Sequence, residues 1–379
     1  MKKEKYKKIN IVSFKINKFF EKVNQKKHLS SKPKIKVIHF IITLIFSLIS
    51  KSNLHNILIL KDSNVTMKLS GEGIKKIFYD KNCDRKNFTR PNEVFINEQK
   101  QNTVNHSYNI EEGDIITLIW KENIISLECV FKDCDSIIEL NFTNFDSSYS
   151  THMNYMFSGC TSLKSLDLSG FNTSNVVNMC NMFEKCYSLI SLNISNFNTS
   201  KVANMGHMFF NCVSLKSLDL SSFNTSNVVY IDNMFKECRN LTSINLSNFD
   251  TSKVSNMNYL FFNCFSLEYI NLSNFNLDKT KDINDMFHGC TSLKSLDFSN
   301  IKITSGINNM NNMFLKCDNL EYINFKNFKT EKNISANFFT GISKYLVICT
   351  NDSTLINIIE NNECNTINCF DNWYDYKKK

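Results

Sequence analysis

The chain has 379 residues, 42% of them hydrophobic and 21% charged, with a formal net charge of +8. Only 2 Pro and 9 Gly are present, which excludes a collagen-like fibre or a long flexible linker. Residues 1–36 hold 13 Lys and 2 Glu, or +11, so the rest of the chain is slightly acidic and offers no basic surface for nucleic acid.

Residues 1–52 are predicted to be a basic leader. Its hydrophobic run, at residues 37–49, fits the core of a signal peptide and falls short of the roughly 20 residues that span a bilayer. Ser50 and Ser52 offer a small-residue cleavage site after Ser52. The long basic stretch leaves two alternatives open: an uncleaved signal anchor, which would contact a membrane, and a buried helix in a cytosolic protein.

Residues 53–124 are predicted to form a small β-rich module that caps the following repeats. The runs VTMKLSG, EVFIN and DIITLIW are rich in β-branched and aromatic residues and are bounded by Gly, Asn and Asp. A stack of repeats needs such a cover over its exposed end.

Residues 125–340 contain a repeat whose cysteines are 26 residues apart, except for a last gap of 27. We call these the ladder cysteines: Cys134, Cys160, Cys186, Cys212, Cys238, Cys264, Cys290 and Cys317. A fixed period of this size predicts a solenoid of about eight rungs that share one core. The ladder cysteines are expected to be small buried residues rather than reactive thiols, and their parallel side chains suit disulfides poorly.

Each rung is predicted to combine a strand with a short helix, giving an α/β fold. The third, sixth and eighth residues after each ladder cysteine are apolar, and the last two alternate with polar residues as in a half-buried strand. Before the cysteine, apolar residues recur three or four apart, which places them on one face of a helix or of consecutive tight turns, and one or two helical turns are predicted. Ser174, Ser200, Ser226 and Ser252 precede these runs and are expected to cap the helices.

The phrase NMFEKCYSLISLNISNFNTSKVANMGHMF resembles the 26-residue repeat of BspA-type leucine-rich-repeat surface proteins. The resemblance covers about residues 125–340. It implies a secreted or surface-exposed protein, adhesion in several relatives, and no catalytic residue to transfer. The last unit departs from the repeat, because it has one extra residue and Ile301 in place of Phe.

Polar residues between the strand leucines are expected to face solvent on the concave side of the solenoid. They form the candidate binding site, with the two tyrosines as anchors: Ser165, Asp167, Ser191, Asn193, Ser217, Asp219, Asn245, Tyr269, Asn271, Asp297 and Tyr322. The alternative is that small polar residues only keep an exposed sheet soluble.

Residues 341–379 are predicted to be a C-terminal cap and basic tail. In an exported chain, two of the cysteines outside the ladder are expected to pair, and the pairing among Cys83, Cys349, Cys364 and Cys369 stays open.

The sequence favours a binding protein over an enzyme. It contains no H-E-x-x-H, P-loop or G-x-G-x-x-G motif and no C-x-x-C pair, so no catalytic residue, metal ligand or cofactor is predicted. The expected function is adhesion or binding at the cell surface, to a protein or glycan on another cell or matrix. The alternatives are a receptor-like ectodomain or surface-coat protein, and a cytosolic scaffold.

Overall fold

The computed structural model describes residues 62–79, 89–299, 301, 307, 309–328, 342, 346–360 and 365–367. The predicted leader therefore lies outside the described residues. No helix within the described ranges is long and apolar enough to cross a membrane.

The N-terminal part of the described chain is an antiparallel β structure. One sheet has the strand order β4-β3-β6-β1-β7, and β2 pairs with β5 in a separate two-stranded ribbon. The strands are β1 (Ser63–Leu69), β2 (Gly73–Lys76), β3 (Glu93–Ile96), β4 (Gln99–Lys100), β5 (Ser107–Ile110), β6 (Ile115–Trp120) and β7 (Ile137–Asn144). Because β7 follows the first ladder cysteine and pairs antiparallel with β1, the first rung is part of this sheet.

The following strands stack in parallel with neighbouring rungs. They are β8 (Ser165–Asp167), β9 (Ser191–Asn193), β10 (Ser217–Leu218), β11 (Ser243–Ile244), β12 (Tyr269–Ile270), β13 (Ser295–Asp297) and β14 (Tyr322–Phe325). The strand β14 also pairs with β15 (Val347–Thr350), and β16 (Asn365–Ile367) completes that sheet. The helix α1 (Ser353–Glu360) lies between β15 and β16 in the chain.

The predicted repeat stack is confirmed, but its regular part has about six turns rather than eight. Strands β8 to β13 form these turns. The rung at each end differs for a physical reason: β7 belongs to the antiparallel sheet, and β14 joins the C-terminal strands.

The predicted α/β rung is wrong, because the second half of each rung consists of stacked turns rather than a helix. Tyr155 N–H donates to the carbonyl of Cys180 in the next rung, whereas Ser158 N–H donates to the carbonyl of Tyr155 in its own rung. A helix would satisfy both groups internally. Two residues per rung also have positive φ, for example Asn181 at 56° and Lys185 at 58°, which no α-helix tolerates.

The core consists of columns of identical side chains, one from each rung. Phe183 stacks on Phe209 with ring centroids 5.5 Å apart and planes 6° apart, and Phe209 stacks on Phe235 in the same way. The ladder cysteines form a buried column beside these rings. Matching residues of successive rungs thus lie above one another, as the period predicts.

The serines predicted as helix caps have another role. Ser200 N–H donates to Asn198 Oδ1, so the asparagine closes the turn and the serine is its donor. Thr199, between them, is fully buried and bonds to the next rung through both its hydroxyl oxygen and its proton. The same arrangement recurs at Thr173, Thr225 and Thr251.

Candidate functional site

The predicted binding residues, except the buried Tyr322, lie together on one surface. We call it the strand face: the side chains four, five and seven residues after each ladder cysteine. Parallel pairing places Ser165 beside Ser191 and Asp167 beside Asn193. Ser243 lies between Ser217 and Tyr269 in the same way. The strand face is therefore a set of columns in which one side chain per rung meets solvent.

The Asp and Asn side chains of the strand face are already engaged. Asp167 Oδ1 accepts a hydrogen bond of 2.9 Å from the backbone N–H of Ser169, and Asp219 accepts one from Ser221. These bonds turn the chain out of the strand. The equivalent acceptors are Asn193, Asn245, Asn271 and Asp297. The turn is therefore sufficient to explain why Asp or Asn recurs at this position, without a ligand.

The turn bonds also keep the carboxylates of the strand face ionised. The backbone and side-chain hydrogen bonds from Ser169 lower the pKa of Asp167. For Asp219, hydrogen bonds from Ser221 do the same. Both carboxylates are thus charged at neutral pH, and their outward oxygens can still accept from a ligand.

The two tyrosines proposed as anchors differ in exposure. Tyr269 is 60% exposed and can offer its ring to a partner. Tyr322 is only 8% exposed, because its strand β14 lies between β13 and β15, so the expectation that it faces solvent is wrong and little of its ring is open to a partner. Burial, together with the charge of Asp297, raises the pKa of Tyr322 to about 12.

The sequence reasoning missed a column of larger side chains, four residues after each ladder cysteine. Ile190 is 52% exposed and lies in the column between Lys164 and Lys216. Within the described part of the chain, neither lysine forms an ion pair. The signal in the sequence was an isoleucine at the fourth position after a ladder cysteine, whereas the predicted site used the fifth and seventh positions.

A second surface was also missed. We call it the turn face: the side chains two and five residues before each ladder cysteine and one residue after it. It carries His207, Phe210, Lys236, Tyr259 and Phe262. His207 contacts Phe210 and Tyr259 contacts Phe262 within a rung, and Lys236 contacts both pairs from the rung between them. Its aromatic content distinguishes it from the strand face.

The ladder thiols are poor nucleophiles. Burial raises the pKa of the Cys186 and Cys238 thiols to about 12, so they are protonated at neutral pH. In the described ranges, no three His, Cys, Asp or Glu side chains are grouped so that they could hold a metal ion.

Repeats of this kind characterise a known family, described as "Mycoplasma protein of unknown function, DUF285". It matches the chain over four overlapping segments, residues 98–217, 125–244, 187–300 and 231–345, well over half of the chain. The chain belongs to the DUF285 family. The segments cover the whole ladder of cysteines, so the strand face and the turn face are both built from DUF285 repeats.

Comparison with solved structures finds a weak likeness to the crystal structure of the pneumococcal vaccine antigen PcpA. The TM-score is 0.23 and the sequence identity 13%, over 59% of this chain and 75% of that chain. This likeness carries no functional inference. No curated protein matches the sequence of this DUF285 chain.

Proposed function

We propose that this DUF285 protein is a non-enzymatic binding or adhesion module that is secreted or displayed at the cell surface. The observation that carries the proposal is the strand face, where the same positions of successive rungs present exposed side chains in columns. Such a surface suits an extended or repetitive partner, namely a protein or a glycan of another cell or of a matrix.

Within the strand face, the side chains with most to offer a partner are Tyr269, Ile190 and the lysines beside Ile190. Tyr269 provides a large exposed ring at low conformational cost, and Ile190 provides exposed apolar area. Lys164 and Lys216 add two charges that are two rungs apart, roughly 10 Å at the usual strand spacing. The serines between them offer hydroxyl groups.

Export is supported by the leader of the sequence and by oxidised cysteines. Cys129 and Cys349 are disulfide-bonded, and disulfides persist in oxidising compartments rather than in the cytosol. They favour export over the cytosolic scaffold, in which every cysteine would be reduced. The resemblance to BspA-type surface proteins points the same way.

The proposal is tested with an array of matrix proteins and glycans, probed with the purified full chain. We expect Tyr269→Ala to weaken a captured ligand by about tenfold, the effect of losing one central aromatic contact. Tyr230→Ala is the matched control, because Tyr230 is 48% exposed but lies outside the strand face.

Absence of any bound ligand, or equal loss with both variants, would overturn the proposal. Surface digestion of intact cells with a protease, followed by N-terminal sequencing of the mature protein, tests export separately. A chain that is protected from the protease and has reduced Cys129 would contradict it.

A further inference from the structure

The turn face concentrates aromatic and charged side chains in four consecutive rungs. His207 contacts Phe210, with ring centroids 5.8 Å apart. In the rungs beyond, Tyr259 contacts Phe262 at 5.4 Å, and Phe262 contacts His288 at 4.6 Å. Between these two groups lies Lys236. Together these six residues form what we call the Lys236 cluster.

Two of these side chains occupy a backbone position that is unfavourable for them. The fifth residue before a ladder cysteine has positive φ, and in several rungs it is Asn or Asp, for example Asn181, Asn233 and Asp285. Asn and Asp tolerate this conformation, whereas larger side chains adopt it at a cost. His207 and Tyr259 nevertheless adopt it, at 58° and 57°. This position has positive φ in every rung, so the conformation belongs to the repeat and does not by itself mark a functional site.

Lys236 lies among three aromatic rings from both neighbouring rungs. Its Nζ is 4.3 Å from the ring centroid of Tyr259, 4.9 Å from that of Phe262 and 5.8 Å from that of Phe210. Cation–π attraction holds the ammonium there. Among the described residues, no side chain forms an ion pair or a hydrogen bond with the Lys236 ammonium.

Three acids of these rungs contact side chains other than Lys236. Asp232 Oδ2 lies 3.6 Å from His207 Nδ1, and Asp285 Oδ1 lies 2.7 Å from His288 Nδ1. Glu237 pairs with Arg239 at 2.9 Å. The Lys236 ammonium is therefore a half-buried cation that is held in place by rings and lacks a matching anion.

We propose that the Lys236 cluster is a second docking surface, which binds an acidic side chain flanked by apolar residues on a protein partner. The partner's carboxylate would form an ion pair with the Lys236 ammonium, and the apolar residues beside it would cover Phe210 and Phe262. Aromatic rings around a desolvated charge pair are typical of the centres of protein interfaces. A sugar is less suited, because it stacks on open ring faces and Lys236 already occupies the space over these rings.

The test uses two fluorescein-labelled twelve-residue peptides, one with a central Glu between Phe and Leu and one with Gln in its place. Binding to the purified full chain is measured by fluorescence anisotropy. We expect the Glu peptide to bind at least about tenfold more tightly than the Gln peptide. Lys236→Met keeps the aliphatic stem and should abolish this preference, whereas Lys236→Arg should retain it.

Lys132→Met is the matched control. Lys132 occupies the same position of the repeat and lies over Tyr79 and Tyr155, at 5.5 and 4.8 Å, so the variant removes a similar contact between elements without touching the cluster. Circular dichroism tests whether each variant is folded. If Lys236→Met is unfolded, Lys236→Gln takes its place.

Three results would overturn the proposal: no binding of the Glu peptide up to millimolar concentration, equal binding of both peptides, or loss of preference with Lys132→Met as well. Binding of polysialic acid that depends on Lys236, without binding of the peptide, would assign the surface to a glycan instead. None of these results bears on the strand face, whose test uses Tyr269.

Discussion

Cys212 Sγ donates a hydrogen bond of 3.1 Å to the backbone carbonyl of Phe183, in the preceding rung. The equivalent bonds run from Cys186 to Phe157 and from Cys238 to Phe209. The same carbonyl accepts the backbone N–H of Cys186 within its own rung, and the thiol adds a donor from the next rung that alanine could not supply. The repeated cysteine therefore joins successive rungs, in addition to filling space in the core.

Replacement of one ladder cysteine should destabilise the solenoid. Cys212→Ala loses the hydrogen bond to Phe183 and leaves a small cavity, so we expect a loss of about 2 kcal/mol in the free energy of unfolding. Urea denaturation measures it. Cys180→Ala is the control, because Cys180 is half-buried and lies outside the ladder; an equal loss there would contradict the role of the ladder.

Stability should fall in alkaline solution because of the same thiols. Burial raises the pKa of Cys186 from 9.0 to about 12, so the folded chain keeps a proton that the unfolded chain releases. This stabilisation is complete below pH 9 and is lost as the pH rises toward 12. Each thiol contributes about 1.4 kcal/mol per pH unit in this window.

The measurement compares the pH dependence of urea unfolding in the natural chain and in Cys186→Ala, between pH 7 and 10.5. We expect a shallower decline for the variant above pH 9, since one titrating thiol is gone. Parallel curves would show that the buried thiols do not govern alkaline stability.

The buried threonines should matter more than the serines that follow them. Thr199→Val removes the bond to Asn224 O at 2.9 Å and leaves Asn224 N–H, which donates to Thr199 Oγ1 at 2.8 Å, without that acceptor. We expect a loss of about 2–4 kcal/mol in unfolding free energy.

Ser200→Ala provides the comparison. It keeps the backbone N–H bond to Asn198 Oδ1 and loses only the exposed hydroxyl bond of 2.7 Å to the same oxygen, so we expect it to cost less than about 1 kcal/mol. Thermal unfolding of both variants gives the two values. A larger loss of unfolding free energy for Ser200→Ala than for Thr199→Val would support the predicted capping role of the serine.

One glycine is required by the close approach of neighbouring rungs. A Cβ on Gly159 would lie 2.7 Å from Asp133 Oδ1, and its φ of +77° is unfavourable for other residues. We expect Gly159→Ala to lower the free energy of unfolding by about 1–3 kcal/mol. Gly170→Ala, where a Cβ meets nothing within 4 Å, should be neutral or slightly stabilising. Chemical denaturation distinguishes the two, and equal effects would be inconsistent with the steric argument.

The sequence predicted the stack, its period and the identity of its buried columns. A side chain that recurs every 26 residues must occupy the same place in each rung, and an apolar one is buried when rungs stack. The helix was predicted wrongly because apolar residues three and four apart face inward both from a helix and from two consecutive turns. Val176, Met179, Phe183 and Cys186 show this spacing on turns.

The candidate site was predicted in part. The alternation along each strand brings Ser165, Ser191 and Tyr269 to the strand face. The pattern did not reveal that Asp167 closes a turn, because alternation indicates only that a side chain meets solvent. It did not reveal that Tyr322 is covered, because the strand β15 beside it lies outside the repeat.

The sequence by itself determined that identical residues of this chain stack into shared columns, because a constant period leaves them no other common environment. Only the tertiary structure decided the backbone path between the strands and which side chains surround Lys236. Phe210, Lys236 and Phe262 are 26 residues apart in sequence and meet because each rung lies directly on the next.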